Sequence, residues 1–233
     1  MTFVNEKEEL DISVILPCLN EQNTVGQCID DAMRFIGEND LKGEVIVVDN
    51  GSSDASADTA RKHGALVIPE MRRGYGRAIR TGLENSRGTV LIISDCDTTY
   101  DLYRLGGLYF PLKGKECDVV IGDRFAGGIE AGAMPLSHRF GVPFLSWCGR
   151  KRYGVKVRDF HCGLRGLSRS AAEKSEFMTD GMEFSTEMIA KAARNGLRIA
   201  QVPVELKRCE APRSSKLNTV KDGFRHLKFI LFN

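Results

Sequence analysis

The sequence lacks a long hydrophobic run. Its longest stretch without Asp, Glu, Lys or Arg is the ten-residue segment Phe140–Gly149, whereas a helix that crosses a bilayer needs about 20 mostly apolar residues. The opening segment Met1–Asp11 is acidic and has no basic-then-apolar pattern of a secretory signal. We therefore expect a soluble, unsecreted protein.

Cysteine pairs at metal-binding spacing are also missing. The seven cysteines lie no closer together than ten positions, and the four histidines show no H-x-x-x-H spacing. Zinc sites and disulfide frameworks depend on such spacings. We expect small buried thiols in a reducing cytosol and no structural metal.

The composition is that of a globular protein. The 233 residues are 42% hydrophobic and 27% charged, which excludes a disordered or collagen-like chain. No Pro/Ser-rich linker, repeat or low-complexity tract divides the sequence. We therefore predict one domain over residues 1–233.

The formal net charge of +2 conceals an uneven distribution. Residues 1–60 contain thirteen acids and three bases, residues 134–174 nine bases and two acids, and residues 200–233 seven bases and three acids. This asymmetry predicts an anionic partner for the C-terminal half, although a solvated basic face is the alternative for each block.

Short apolar runs alternate with helical stretches in the first half. The predicted strands are Ile12–Leu16, Glu44–Asp49, Leu66–Ile68, Val90–Ser94 and Asp118–Gly122. The predicted helices are about Thr24–Glu38, Ala55–His63, Tyr75–Asn85 and Leu102–Leu112. This alternation predicts an α/β fold with a mostly parallel sheet, whose C-terminal strand ends share one edge, where ligands bind.

The second half is less regular. Its predicted helices are His138–Tyr153 (interrupted at Pro143), Met182–Asn195 and Asn218–Phe232, and its extended segments are Leu164–Ser168 and Ile199–Lys207. His161 and Cys162 are interpreted as a hydrogen-bonded structural pair.

Polar residues follow three of the predicted strands. The segments Pro17–Glu21 and Asp49–Asp54 could form hydrogen bonds to a base and a ribose, or could form turns and a helix cap.

Asp95 and Asp97 follow the fourth predicted strand, where two carboxylates would repel each other without a cation. Because Mg²⁺ uses one or two carboxylates plus substrate phosphates, this D-x-D predicts a metal–diphosphate site rather than a solvated turn. The glycine-rich segment Arg72–Gly76 could face an anion, but it is neither a Walker loop nor a G-x-G-x-x-G.

These segments, in this order, resemble the family-2 glycosyltransferases of the GT-A fold, in particular the dolichol-phosphate mannose and glucose synthase-like branch that glycosylates polyprenyl phosphates. The resemblance runs from about Ile12 to the C-terminus. Its motifs are ILPCLNE, VVDNGSSD, GYGRAIRTGL, SDCDTTYD, GDRFAGG, DFHCGLRGLSR, GMEFSTEMIAKA and RSSKLNTVKDGFRHLKFIL. It implies a Rossmann-like parallel sheet flanked by helices, a nucleotide-sugar-binding half (about 12–125), an acceptor half (about 126–217) and a C-terminal amphipathic interface helix (218–233).

The resemblance also assigns roles to individual residues. It implies that the nucleotide sugar is held by Pro17, Glu21, Asp49, Asp95, Arg213 and Lys216. Asp95 and Asp97 would place Mg²⁺ or Mn²⁺ on the diphosphate, and Arg124 and Arg139 would contact the acceptor phosphate. Asp159 lies where related enzymes have a candidate base. A phosphate monoester is already anionic near neutral pH because its second pKa is about 6, so the alternative role for Asp159 is to orient the acceptor or its cations.

The sequence differs from the family pattern at two points. The second strand ends in Asp-Asn rather than the frequent Asp-Asp. Many members of the branch continue into transmembrane helices after the final motif, whereas this chain stops at Asn233.

The function predicted from this resemblance is a metal-dependent, inverting transfer of a hexose from a UDP- or GDP-sugar to a polyprenyl phosphate. The expected partners include an anionic membrane surface at the cytoplasmic, inner face of the cell membrane, and no nucleic acid; a homo-oligomer stays open. The alternatives are a glycosyltransferase that acts on a saccharide hydroxyl and a non-catalytic membrane-associated binding module.

Two apolar segments bear on the membrane expectation. In the last helix Val220, Phe224, Leu227 and Leu231 share a stripe that Phe229, Ile230 and Phe232 widen. We expect Phe229–Phe232 to lie at the interface. For Phe140–Trp147, beside the basic residues 150–152, both an interface and packing against the domain stay open.

Overall fold

The computed structural model describes residues 9–209 and 219–233. Its seven strands form one sheet in the order β3-β2-β1-β4-β6-β5-β7. The strands are β1 (Leu10–Cys18), β2 (Gly43–Asp49), β3 (Leu66–Pro69), β4 (Gly88–Ile93), β5 (Val119–Asp123), β6 (Arg165–Ser168) and β7 (Ile199–Pro203). The prediction of a mostly parallel α/β sheet is confirmed, with β6 as the exception because it runs antiparallel to both β4 and β5.

Helices flank this sheet. They are α1 (Val25–Glu38), α2 (Ser56–Lys62), α3 (Tyr75–Asn85), α4 (Gly106–Lys113), α5 (Arg124–Gly127), α6 (Leu136–Tyr153), α7 (Arg169–Ser175), α8 (Phe184–Arg194) and α9 (Thr219–Phe232). The central strands are buried on both faces, which explains their continuous apolar runs. Helices α6, α8 and α9 pack on one another.

Strand direction determines where the polar strand ends meet. The C-terminal ends of β1, β2, β4 and β5 lie on one edge of the sheet, because these strands are parallel or are related through β6. Since β6 is reversed, its N-terminal end lies on the same edge. The segment before β6, residues 159–164, therefore joins the ends of β4 and β5.

Two helix predictions need correction, and two short helices were not predicted. The helix α6 continues through Pro143 rather than breaking there; proline removes one backbone N–H donor, and the flanking turns and the contacts with α8 and α9 hold the helix together. Helix α4 begins at Gly106 and not at Leu102. The short helices α5 and α7 follow strands directly and were absent from the sequence-based prediction, because four and seven residues are too few to show a helical period.

Helices α6 and α9 leave apolar side chains exposed. On α6 these are Leu136, Phe140, Phe144 and Trp147, and on α9 Phe224, Leu231 and Phe232. We call these seven side chains the apolar surface. Ile230, which was expected at an interface, is buried instead, because it lies one helical turn after the buried His226 on the inward face of α9.

Within the residues that the structure describes, no helix combines the length and the apolar character that a membrane span requires.

We predict that Gly127→Ala destabilises the fold. A Cβ at Gly127 would overlap the backbone of Val204 beyond the end of β7, and forced overpacking costs about 1–3 kcal/mol. Urea denaturation measures the loss. Gly37→Ala in α1 is the control, because a Cβ there meets nothing and alanine in a helix is up to about 1 kcal/mol better than glycine. Equal midpoints for the two variants would contradict the prediction.

Candidate functional site

A cavity of about 310 Å³ opens at the edge of the sheet where the strands end. Its walls come from the ends of β1, β2 and β4, the start of α3, the turn before α8, and α9. The lining residues are Pro17, Cys18, Leu19, Glu21, Asn50, Arg73, Gly74, Tyr75, Ala78, Asp95, Cys96, Asp97, Gly181, Met182, Asp222 and Arg225. We call this space the first cavity.

The two carboxylates of the D-x-D lie in this cavity, directly after β4. Asp97 is buried, and its Oδ1 accepts hydrogen bonds from the hydroxyl and the backbone N–H of Thr99, the latter at 3.0 Å. Thr98, which lies between Asp97 and Thr99, has a φ of 62°. This left-handed conformation is rare for a β-branched residue. The turn therefore holds the Asp97 carboxylate in one orientation.

Asp95 is half-buried and lies against Gly163, in the segment before β6, and against Tyr75 at the start of α3. A Cβ at Gly163 would overlap its Oδ2, so glycine is what lets that segment approach the carboxylate. Burial, and then the neighbouring Asp95 carboxylate, raise the pKa of Tyr75 well above its usual value. Tyr75 is thus a neutral phenol beside the D-x-D.

The donor set of the D-x-D fits a hard divalent cation. Two carboxylates supply oxygen ligands, as Mg²⁺ and Mn²⁺ prefer. Over residues 9–209 and 219–233, no group of three or more His, Cys, Asp or Glu side chains is arranged to hold a metal ion. Asp95 and Asp97 would supply oxygen ligands to such a cation, alongside those of a bound diphosphate.

Of the expected nucleotide contacts at the first two strand ends, Pro17 and Glu21 line the first cavity, but Asp49 does not. The Asp49 carboxylate accepts from the backbone N–H of Ser52, which is the turn chemistry left open above. Asn50 lines the cavity in its place. Its amide nitrogen donates to the carbonyls of residues 70 and 72, and its oxygen accepts from the Gly74 N–H at 2.8 Å.

The glycine-rich segment forms part of the same wall. Arg73 and Gly74 line the cavity. The side chain of Arg72 is exposed, and its Nε lies 3.7 Å from Oε1 of the buried Glu70. Gly74 has a φ of 151°, and a Cβ there would overlap the carbonyl of Asp180. The segment therefore presents one guanidinium group, not two, to the first cavity.

A second cavity of about 150 Å³ lies between α5, α6, α8 and α9. It is lined by Arg124, Ser137, His138, Gly141, Val142, Leu145, His161, Met182, Ser185, Asp222, Gly223 and His226. Met182 and Asp222 line both cavities. The two spaces are therefore neighbours, and a molecule in one can meet a molecule in the other at this shared wall.

Arg124 reaches the second cavity while paired with Asp159. Its Nε and Nη2 donate to the two carboxylate oxygens at 2.6 and 2.9 Å, and Asp159 is fully buried. The same carboxylate accepts from the backbone N–H of His161. Both Asp159 oxygens are therefore engaged, an arrangement suited to orienting Arg124 rather than to removing a proton from a substrate.

Of the other three predicted residues, the structure describes Arg139 alone. Arg139 is exposed and lines neither cavity; from the same helix it is His138 that faces the second cavity. Arg213 and Lys216, expected over the diphosphate, lie outside the described residues.

Sequence reasoning missed several residues of the site. Met182, Asp222 and Arg225 reach the first cavity from α9 and from the turn before α8, far along the chain from the strand ends. The interpretation of His161 and Cys162 as a hydrogen-bonded pair is wrong for His161: Cys162 contacts the Tyr100 hydroxyl, but both ring nitrogens of His161 are buried without a hydrogen-bond partner in the described residues. The motif spacing carried no signal for these contacts.

The mostly parallel sheet and the D-x-D cavity at its edge define a GT-A glycosyltransferase fold. The Glycosyl transferase family 2 profile matches residues 13–175, and the chain belongs to this family. The prediction of a family-2 glycosyltransferase is therefore confirmed.

Two relatives come from Haloferax volcanii. The low-salt glycan biosynthesis hexosyltransferase Agl6 is 35% identical over 95% of this chain, which spans about half of that protein (53%). A dolichyl-phosphate hexose transferase is 31% identical over 91% of this chain and 89% of its own length. The name of the second relative is consistent with the polyprenyl-phosphate branch of the resemblance.

Solved structures of glucosyl-3-phosphoglycerate synthase from Mycobacterium tuberculosis have the same fold. The complex with phosphoglyceric acid is 25% identical with a TM-score of 0.74, covering 95% of this chain and 79% of that one. The complex with Mn²⁺, uridine diphosphate and glucosyl-3-phosphoglycerate is 25% identical with a TM-score of 0.73, covering 95% and 78%.

We predict that Asp159→Asn loses about 3–5 kcal/mol of unfolding free energy, because it leaves the buried Arg124 guanidinium without its counter-charge. Urea denaturation measures this loss. Asp58→Asn is the control: its pair with Arg61 is exposed and is worth at most about 1 kcal/mol. An Asp159→Asn protein of wild-type stability would show that the pair does not support the fold.

Proposed function

We propose that this protein is a metal-dependent, inverting glycosyltransferase that moves a hexose from a UDP- or GDP-sugar to a polyprenyl phosphate at the cytoplasmic face of the membrane. The observation that carries the proposal is the pair of adjoining cavities. One contains the D-x-D carboxylates, and the other contains a buried arginine.

The first cavity suits the donor. Pro17, Glu21 and Asn50 line its strand-end side, and Arg73 brings a cation. The related synthase that was crystallised with Mn²⁺ and uridine diphosphate supports a nucleotide–metal complex as the ligand. Arg213 and Lys216 stay part of the proposal as the cations that close over the diphosphate.

Asp95 and Asp97 would hold Mg²⁺ or Mn²⁺. When bound there, the cation would neutralise the charge that develops on the departing diphosphate. The Thr99 hydrogen bonds to Asp97 orient the carboxylate in advance, so less reorganisation is needed when the donor binds.

The second cavity suits an anionic acceptor. Arg124 lines it, and the Asp159 carboxylate fixes the guanidinium. The relative that is named a dolichyl-phosphate hexose transferase supports a lipid phosphate in this role. Asp159 then acts as a positioning residue. Arg139, on the exposed side of α6, would meet the acceptor outside the cavity.

The reaction that we propose is a single in-line displacement. An oxygen of the acceptor phosphate forms a bond to the anomeric carbon of the hexose. The bond from that carbon to the nucleoside diphosphate breaks, its electron pair leaves with the diphosphate, and the configuration inverts. A phosphate monoester that is already ionised needs no general base.

The acceptor class is tested with labelled UDP- and GDP-sugars, each offered to short-chain polyprenyl phosphate, to phosphoglyceric acid and to neutral saccharides. We expect a lipid-linked product only. Transfer to a saccharide hydroxyl instead would favour the alternative acceptor. If the protein binds no nucleotide sugar with Mg²⁺ or Mn²⁺, a non-catalytic binding module takes the place of the enzyme.

We predict that Asp97→Ala lowers transfer by at least about 100-fold, because the charge on the departing diphosphate loses its stabilisation. The assay is product formation with Mg²⁺ or Mn²⁺, and circular dichroism checks the fold. Asp58→Ala, on the distant α2 surface, should keep full activity. Wild-type rates for Asp97→Ala in the presence of a chelator would refute the assigned role.

The apolar surface supports the membrane part of the proposal. Phe140 and Phe144 on α6 are 77% and 56% exposed, and the basic residues Lys151 and Arg152 are exposed near the end of the same helix. Apolar side chains beside cations bind at the boundary of an anionic bilayer.

We predict that Phe140→Ser combined with Phe144→Ser weakens binding to phosphatidylglycerol-containing vesicles by at least about tenfold, since each phenyl ring contributes about 1.5–3 kcal/mol when it is buried. Vesicle co-sedimentation measures binding. The control is Phe110→Ser on α4, whose ring is 55% exposed. If the double variant and the control bind equally well, the apolar surface does not contact the membrane.

A further inference from the structure

His161 is a half-buried residue whose two ring nitrogens are shielded from solvent. It lines the second cavity, and neither Nδ1 nor Nε2 has a hydrogen-bond partner among the described residues. Leaving a buried donor or acceptor unpaired costs about 1–3 kcal/mol. A ring that is held in this state beside a cavity indicates a ligand that completes its hydrogen bonds.

The ring of His161 is held in place by its neighbours. The His226 ring stands edge-on to it, with centroids 4.3 Å apart and planes at 90°. His226 Nδ1 is in turn 2.8 Å from the Thr186 hydroxyl. The backbone N–H of His161 donates to Asp159. Helices α8 and α9 therefore orient the imidazole before any ligand binds.

The surroundings of His161 carry an excess of positive charge. Arg124 is paired with Asp159, but the fully buried Arg165 donates to the backbone carbonyls of Phe160, Cys162 and Ser185.

The histidines respond to burial and to this charge. Burial, followed by His226 and the two arginines, lowers the pKa of His161 well below its usual value. Burial, followed by Arg165 and Arg225, lowers the pKa of His226 to about 4. Both rings are therefore neutral near pH 7. Water could complete the hydrogen bonds of His161, but only an anion would also offset the positive charge.

The wall that the two cavities share carries an ion pair. Asp222 lies on this wall, 3.9 Å from Arg225. The acidic side chain of the wall is therefore already paired, and it does not oppose an anion that binds beside Arg124 and His161.

We infer that His161 is a direct ligand of the acceptor, donating a hydrogen bond to its phosphate group beside Arg124, and that His226 and Thr186 are positioning residues for it. The inference rests on the proposed function for the identity of the acceptor, a phosphate monoester. The anion subsite itself rests on the cavity, the unpaired nitrogens and the buried guanidinium groups.

The kinetic test uses the full chain with His161→Leu, which removes both ring nitrogens, and His161→Gln, which keeps a donor. We expect His161→Leu to raise the KM for short-chain polyprenyl phosphate about tenfold or more, as for a lost hydrogen bond to a charged group. His161→Gln should raise it less, and nucleotide-sugar affinity should not change.

Three further variants separate a role in acceptor binding from a merely structural role. His63→Gln is the matched control, because His63 pairs with Asp30 on α1 and lines neither cavity. Thr186→Val should raise the acceptor KM with kcat nearly unchanged, and Thr186→Ser should restore it. If His161→Leu changes the acceptor KM no more than His63→Gln does, or weakens donor binding equally, the inference is wrong.

A binding measurement separates this inference from the proposed function. In ¹⁵N-histidine NMR spectra, inorganic phosphate and geranyl phosphate should shift the ring signals of His161, whereas chloride at equal ionic strength should not. The His161 signals are identified by their absence from the spectrum of His161→Gln. A saturable shift without any transfer to lipid would keep the anion subsite and refute the lipid acceptor. Transfer to lipid without a shift would keep the enzyme and refute the subsite.

Discussion

Strand β6 runs against β4 and β5, and the geometry of the site depends on this reversal. It brings the N-terminal end of β6 to the edge where the parallel strands end. The preceding segment thus delivers Asp159 to Arg124, Gly163 to Asp95 and His161 to the second cavity. A parallel strand in the same position would carry these residues to the opposite edge, about the length of a strand away.

Buried charge maintains this arrangement. Arg165, the first residue of β6, ties the preceding segment to α8 through backbone carbonyls, and the Asp159 carboxylate fixes Arg124 at the start of α5. Removing a guanidinium group from water is costly unless its donors are satisfied. The site is therefore rigid where these groups are buried, and it leaves positive charge beside the second cavity.

The first half of the fold could be predicted because its signals are local. Apolar runs of strand length marked β1, β2, β3, β4 and β5, and the D-x-D directly after β4 marked the carboxylate pair in the first cavity. The second half was harder to predict, and Pro143 suggested an interruption that tertiary contacts override. Within the first half, Asp49 was expected at the nucleotide but does not line the cavity, which Asn50 lines instead. Turn hydrogen bonds that a motif does not show direct each of these side chains.

The sequence by itself determined the fold class, the family and the position of Asp95 and Asp97, because periodicity and ordered motifs are properties of neighbouring residues. Only the tertiary structure decided which distant residues share the site. His161 and His226 are 65 positions apart in the sequence, and their rings contact each other in the fold. Asp222 lines both cavities, whose walls combine residues at the strand ends with residues of the helices. These contacts between distant residues follow from strand direction and helix packing, which no local sequence pattern encodes.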